Sequence, residues 1–224
     1  MEITKQYEEI GKKFIEGQED YFSKKVDQAR VFIKNQLPDL KGKVILDVGC
    51  GHGKDIQTYE ELGCESVYGI DSSKLMIEEA KKIVKNQNNL VVASMDNMPF
   101  EDGKFDILIG RFSIHYLKNL DKAYEEFNRV LKKGGILIFV AHHPFLGFMQ
   151  SGAKNYHAKN IIKMNLYNNA VMIKFPYHTL KDYFSDTFFR NFVIHHLDEE
   201  KPENMEYKNQ WNIPGFIAFK AVKR

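Results

Sequence analysis

Apolar residues recur at spacings of three and four between residues 22 and 37, where Phe22, Val26, Ala29, Ile33 and Leu37 fall on one face of a helix. Pro38 ends that pattern, because it has no N–H to donate and blocks the preceding turn. A shorter segment around Tyr7, Ile10, Phe14 and Ile15 reads as a separate helix, with Gly17 as the expected break between the two. Residues 1–40 are therefore expected to form a helical cap. From residue 41 to 141 the pattern changes. Short continuous apolar runs at 44–48, 66–70, 90–93, 105–109 and 136–141 alternate with helix-period segments. One such segment runs to about Leu62. A second spans 72–85, with Leu75, Met76, Ala80 and Ile83 inward. A third carries Leu120, Ala123, Tyr124, Phe127, Val130 and Leu131 and is broken by Lys133-Gly134-Gly135. Continuous rather than alternating runs predict strands covered on both faces, as in a parallel sheet between helices. Strands alternating with helices predict a doubly wound α/β fold. Residues 142–224 begin irregular and aromatic and end in two strand-like runs. The last two runs, 192–197 and 216–222, have no helix pattern between them, which suits an antiparallel pair at one edge of the sheet. His195 and His196 on that edge strand are expected to point to opposite faces and to be structural.

Composition narrows the class without changing the fold. At 224 residues the chain fits one α/β domain with added elements, taken as 1–224 in full. The 32 basic and 30 acidic residues leave a net charge of +2, so there is no basic surplus of the kind a nucleic-acid binder shows. The Lys-Lys pairs at 12–13, 24–25, 81–82 and 132–133 are scattered and read as solvated faces. The two cysteines, Cys50 and Cys64, form no CxxC pair and no disulfide framework, which predicts a reducing, cytoplasmic location. The N-terminus is polar and no apolar run approaches about 18 residues, so neither a signal peptide nor a membrane span is expected.

The candidate chemistry is concentrated in VILDVGCGHGKD, residues 44–55. A strand leads into Gly49, Gly51 and Gly53, with Cys50 inside the turn, and a helix pattern begins beyond them. Glycines there let backbone approach a ligand closely and take positive φ. Ligands of open α/β sheets sit at the carboxyl ends of the strands, at the topological switch point. Asp71 ends the second strand twenty residues after Gly51, where a carboxylate can accept hydrogen bonds from both hydroxyls of a ribose. A dinucleotide site uses the same arrangement. Three details favour S-adenosylmethionine over a nicotinamide cofactor. Lys54 stands where the dinucleotide fingerprint needs its third glycine. Asp47, two residues before the first glycine, suits an ammonium group and would repel a pyrophosphate. Little chain is left for a hydride-acceptor domain.

On these motifs, residues 44–141 resemble a class I S-adenosylmethionine-dependent methyltransferase of the ubiquinone/menaquinone-biosynthesis-like, methyltransferase type 11 group. DVGCGHG resembles the group's first motif, GIDSSKLMIEEAKK its acidic second-strand motif, SMDNMPFEDGKFDILIG its third, and LKKGGILIF the glycine turn before its fifth strand. The resemblance implies a Rossmann-like doubly wound seven-stranded sheet, order 3-2-1-4-5-7-6 with strand 7 antiparallel. It adds N-terminal helices over a core at 41–141, a substrate lid at 142–190 and a final strand pair at 191–224. It implies S-adenosyl-L-methionine as cofactor and S-adenosyl-L-homocysteine as product. Gly49 and Gly51 would pack against the methionine part and Asp71 would hold the ribose, flanked by Ser72 and Met76. Asp96 would contact the adenine amino group, with Asn97 and Met98 lining the base. The backbone at Arg111 would meet the cofactor's amino group, and its side chain could instead recognise a substrate anion. Tyr21 on the N-terminal helices would help close the site.

Methyl transfer mainly requires donor and acceptor to be aligned, so such enzymes often carry no catalytic motif. Candidate bases cluster after the fourth and fifth strands: His115 beside Ser113 and Tyr116, then His142 and His143 in AHHPF, which resembles the EHP segment of some small-molecule members with an alanine in place of the acid. His178, in YHTL, resembles part of the group's lid. A histidine near its intrinsic pKa is a suitable general base. No metal site is expected from these histidines, because none has ligand spacing on a helix. The aromatic stretch 145–189 equally suits a pocket cover, ordinary packing or a dimer surface, so a homodimer stays open. The expected activity is methylation of a small molecule. RNA or protein methylation, a non-catalytic binding module of the same fold and a nicotinamide enzyme are the competing readings.

Overall fold

A computed structural model describes residues 5–201 and 212–224. Seven strands form the main sheet: β1 (Val44–Val48), β2 (Ser66–Asp71), β3 (Leu90–Val92), β4 (Phe105–Arg111), β5 (Leu131–His142), β8 (Phe192–Glu199) and β9 (Phe216–Lys223). Their order is β3-β2-β1-β4-β5-β9-β8. β1 to β5 pair in parallel, and β9 runs antiparallel to both β5 and β8. Counted within the sheet, this is the expected 3-2-1-4-5-7-6 arrangement with strand 7 reversed.

The continuous apolar runs have a direct cause. Successive strand residues point to opposite faces, and both faces are covered. Leu46, Leu108, Leu137 and Phe139 pack beneath α5 (Leu120–Val130) and α8 (Asp186–Asn191), whose Tyr124, Phe127 and Phe188 are fully buried. Ile45, Ile107, Ile138 and Val140 face the other way, onto Ala29 and Ile33 of α2 (Gln28–Gln36), Ile56 of α3 (Lys54–Glu61) and Ile77 of α4 (Lys74–Ala80). A third cluster lies apart from the sheet. It joins Tyr21 of α1 (Gln6–Ser23) to Ile162, Leu166, Ile173 and Phe175 of an antiparallel hairpin, β6 (Ile161–Leu166) and β7 (Val171–Pro176).

Several local expectations are corrected. The first helix continues through Gly17 to Ser23, and the break falls at residues 24–27, where the Asp27 side chain caps α2 by accepting from Arg30 N (3.0 Å). Gly17 is a packing site: a Cβ there would lie 3.1 Å from Ala170 and 3.3 Å from Tyr167, so its absence lets α1 lie on the hairpin turn. Val26 is therefore outside any helix and 64% exposed. α4 ends at Ala80, leaving Ile83 exposed and Val84 inward. The Lys133-Gly134-Gly135 segment does not separate α5 from the next strand. β5 begins at Leu131, and a register shift against β4 absorbs the irregularity, with Gly134 at φ +72°. A second register shift at His195 interrupts the alternation of β8 on which the opposed facing of His195 and His196 rested.

The segment expected as a lid is heterogeneous. Residues 142–190 hold α6 (Pro144–Ser151), the β6–β7 hairpin, α7 (Leu180–Tyr183) and α8. Tyr183 and Phe188, from α7 and α8, are buried in the cluster under α5 and so belong to the main core. Among the described residues, no helix is long and apolar enough to cross a membrane.

Candidate cofactor and acceptor site

The turn after β1 is built by backbone geometry. Gly49, Gly51 and Gly53 have φ of +71°, +54° and +83°, a region that disfavours L side chains by about 1–2 kcal/mol each. Gly49 is constrained further, since a Cβ there would fall 2.3 Å from the Ser113 Cβ at the end of β4. The Gly49 and Cys50 amides both donate to the Ile70 carbonyl (2.8 and 2.9 Å). Asp71 then takes the Gly51 amide on Oδ2 (3.0 Å) and the Ser73 amide on Oδ1 (2.9 Å). The carboxylate closing β2 thus fixes the turn that closes β1. Burial pushes Asp71 up to about 6, against the opposing pull of those two amides.

A buried charge network stands behind the turn. The Arg111 Nε donates to Asp55 Oδ2 (2.8 Å) and its Nη1 to Asp27 Oδ2 (3.2 Å). Arg30 donates from Nε to Asp55 Oδ1 (2.5 Å) and lies 3.4 Å from Asp27. Burial alone would raise Asp55, but Arg111 and Arg30 outweigh it and hold the carboxyl down at about 2. Asp47 is raised well above the ordinary carboxyl range, first by burial and then by Asp55. Burial lowers His52 to about 4.

A cavity of about 260 Å³ opens from this turn and runs between α1, the hairpin and α6. α1 lies across it, held at several points. Gln6 pairs with the Lys174 backbone like a strand residue, donating to its carbonyl (2.8 Å) and accepting from its amide (2.9 Å). Glu8 accepts from the Lys74 amide at the start of α4 (2.6 Å), and the Tyr7 and Tyr116 hydroxyls share a 2.6 Å hydrogen bond. Seven buried side-chain polar atoms among the described residues lack a partner, and six of them belong to residues lining this cavity: Arg30 Nη2, His52 Nε2, Ser113 Oγ, His115 Nδ1, His142 Nε2 and Gln150 Oε1. Buried polar atoms are normally satisfied, so their convergence marks a polar ligand site.

The structure brings most of the expected residues to this cavity. Asp47, Gly49, Cys50, Gly51, Asp71 and Ser72 line it, as do Met76 and Arg111, and His115 and His142 line its far side. Others stand elsewhere. Gly53 is one step outside, as the N-cap of α3. Asp96 is drawn back onto the Ser94 hydroxyl, Asn97 bridges to Ser94, and Met98 is buried in the core with its amide on Glu126 (2.7 Å). Ala93, Ser94 and Met95 line the cavity in their place. Tyr21 packs against Phe22 and Tyr167, and α1 reaches the cavity through Tyr7, Phe14, Gln18 and Phe22. The Arg111 side chain is committed to two carboxylates, which leaves it no free charge for a substrate anion.

The histidines divide in the same way. His143 has both ring nitrogens engaged, Nε2 with Glu199 (2.7 Å) and Nδ1 accepting from the Phe145 amide (3.2 Å) as the cap of α6. His178 donates from Nε2 to the His115 carbonyl (3.2 Å) and holds that turn. Burial lowers His115, His142 and His178 alike, His142 to about 3, which disfavours these three as general bases at neutral pH. Arg30, Asp27 and Gln150 were not legible as site residues, because on their own helices they look like ordinary polar positions. Among the described residues, no three His, Cys, Asp or Glu side chains converge as a metal set.

A Rossmann-like sheet with a glycine turn at its switch point and a carboxylate at the next strand end defines a nucleoside-cofactor protein. A family model described as a methyltransferase domain matches residues 46–139. An uncharacterised protein of Haemophilus influenzae is 29% identical over 212 residues, covering 84% of each chain. The ubiquinone/menaquinone biosynthesis C-methyltransferase of Campylobacter jejuni is 30% identical over 169 residues, 72% of this chain and 69% of that protein. The crystal structure of an S-adenosylmethionine-dependent methyltransferase from Mesorhizobium loti superposes with a TM-score of 0.71 at 21% identity, covering 86% of this chain and 96% of that one, which establishes the fold. Against the malonyl-[acyl-carrier protein] O-methyltransferase of Legionella pneumophila, the chain spans 50% of the relative's length. The chain belongs to the class I S-adenosylmethionine-dependent methyltransferases, and S-adenosylmethionine is its cofactor.

Proposed function

We propose that the chain transfers a methyl group from S-adenosylmethionine to a small-molecule acceptor bound in the same cavity. The observation that carries this reading is the set of six unpartnered polar atoms, spread from the glycine turn to the histidines, on residues lining a single cavity. Its lining joins charged groups at the turn to the neutral histidines His115 and His142.

The residues present fit the cofactor. Asp71, already accepting two backbone amides, has its remaining lone pairs for the ribose hydroxyls. The Gly49–Gly51 turn carries no side chain to obstruct the methionine part, and Asp47 lies beside it to meet an ammonium group. Arg30 Nη2 and His52 Nε2 are unpartnered donors or acceptors at the same end. Ala93 to Met95 form the adenine side. When bound, S-adenosylmethionine supplies an electrophilic methyl carbon on a sulfonium, and an in-line displacement follows from alignment. The chain's part is to hold the acceptor in line and to keep water out, the latter through α1 and its Tyr7–Tyr116 contact. Two unpaired cysteines, with Cys50 buried, fit a reducing cytoplasmic setting.

Incubation with methyl-labelled cofactor and a deproteinised metabolite extract tests this reading. A labelled small molecule is the expected product. Label appearing only on RNA or protein, or cofactor bound with no transfer to any pool, would contradict it.

A further inference from the structure

The far end of the cavity is chemically unlike the glycine turn. His142 closes β5, and His115 sits in the short 3-10 turn Ile114–Tyr116 that follows β4. Both side chains are more than nine-tenths buried, at 6% and 3% exposure. Their rings stand 6.3 Å apart, and each packs on Phe175 of β7, at 4.9 and 4.7 Å. His115 Nδ1, His142 Nε2 and Gln150 Oε1 of α6 make no hydrogen bond of good geometry, although the Gln150 and His142 side chains stand close enough to interact, and all three residues share the same lining. The surrounding lining is apolar or aromatic: Phe112, Tyr116, Leu117, Leu146, Met164 and Ile173.

Charge separates the two ends. The cations that line the cavity among the described residues are Arg30, Lys54 and Arg111, on the elements that flank the glycine turn, and Asp27 and Asp55 already hold the two arginines. Beyond the turn the lining carboxylate is Glu200, whose Oε2 accepts from the Gly215 amide (2.7 Å). An ionised acid entering the histidine end would lose its hydration and find no counter-charge. A neutral polar group would lose little, because it satisfies nitrogens that are otherwise bare.

We propose that this end is the acceptor subsite, and that it takes an uncharged aromatic compound bearing a hydroxyl or ring N–H, with His142 as its main hydrogen-bond partner and His115 and Gln150 as further polar contacts. The assignment rests on the methyltransferase reading and names the acceptor class of that site. The imidazoles supply the matching chemistry. Burial keeps them neutral, so each offers one lone pair and one N–H rather than a fixed charge. A histidine held that far down is a poor proton acceptor, so His142 selects and orients the acceptor; as the acceptor's bond to the methyl carbon forms and the carbon–sulfur bond breaks to leave S-adenosylhomocysteine, the acceptor's proton passes to solvent. Phe112 adds the aromatic wall. It stands at φ +52°, an unusual position for a bulky residue, and its ring lies 6.4 Å from His115 and 6.1 Å from Phe216.

Three probes on the same ring system separate the possibilities: 2-naphthol, naphthalene and 2-naphthoate, each titrated at neutral pH into protein saturated with S-adenosylhomocysteine. Saturable binding of 2-naphthol is expected, with naphthalene and 2-naphthoate each weaker by about tenfold or more. His142→Phe should bring 2-naphthol to the level of naphthalene while leaving S-adenosylhomocysteine affinity unchanged, and His142→Gln should restore most of the loss. If His142→Phe fails to fold, Gln150→Leu should still weaken 2-naphthol by about threefold. The proposal is overturned if 2-naphthoate binds as tightly as 2-naphthol, if 2-naphthol does not saturate, or if neither variant changes its affinity. Any of these with S-adenosylhomocysteine bound removes the acceptor assignment alone, whereas failure of the wild-type chain to bind S-adenosylhomocysteine removes the methyltransferase reading as well.

Discussion

The two ends of the cavity solve opposite electrostatic problems. Behind the glycine turn, charges are kept by pairing: Arg111 and Arg30 are locked between Asp27 and Asp55, while Asp71 is tied by two amides. At the histidine end, charges are removed, because burial without a counter-ion leaves His115 and His142 neutral. The first arrangement suits a ligand that carries charges of its own. The second suits a neutral one. A single crevice can therefore hold a zwitterionic donor beside an uncharged acceptor without either binding in the other's place.

The contrast can be broken most severely at the charged end. Arg111→Met should destabilise the fold by about 3 kcal/mol in chemical denaturation, because it leaves Arg30 as the one remaining cation for two buried carboxylates, Asp27 and Asp55. A loss within error of zero would mean that the network is solvated and not a paired core. Gly49→Ala ranks next. A Cβ 2.3 Å from the Ser113 Cβ, at φ +71°, should cost roughly 2–4 kcal/mol and shift the turn enough to abolish measurable S-adenosylhomocysteine binding. A variant of normal affinity would remove the turn from the site.

The pH response sharpens the comparison at intermediate size. Asp71 is raised to about 6, above its unfolded value, so its contribution to the stability of the free protein is present at low pH and lost as pH rises through 6. Cofactor affinity should move the other way, since the ribose hydroxyls need a carboxylate. It should be level above neutrality and fall about tenfold at one pH unit below 6. Calorimetric titrations across that window check the sign. Binding of 2-naphthol should stay level over the same range, because His142 titrates only near 3. The smallest effect is expected from Gln6→Ala, which removes two hydrogen bonds between α1 and β7. A stability loss of about 1 kcal/mol and faster hydrogen exchange along α1 should result.

The difference between the ends also explains what could be read from the sequence. The turn at 44–55 and the carboxylate at Asp71 were legible because their requirements are local: positive φ at fixed spacing, and an acid closing the adjacent strand. Arg30 and Asp27 were not, because they matter only once α2 is packed on the sheet and Arg111 at the end of β4 reaches Asp27, and nothing along their own helix distinguishes them. The histidines could be placed at the strand ends, but their neutrality depends on burial by Phe175 from a hairpin far along the chain. That hairpin did leave a trace. Ile162, Met164 and Leu166 alternate against Val171, Ile173 and Phe175, across a turn whose Asn168 and Asn169 take positive φ. Helix limits failed where glycine served packing instead of punctuation, as at Gly17.

The central claim is that Asp71 and the turn it fixes hold the cofactor, and calorimetric titration of S-adenosylhomocysteine into the wild-type chain and Asp71→Ala tests it most directly. The account predicts one site per wild-type chain, affinity weaker by more than about tenfold in the variant, and no comparable binding of NADH to either. Equal affinities for the two chains, or NADH binding as tightly as S-adenosylhomocysteine, would contradict it.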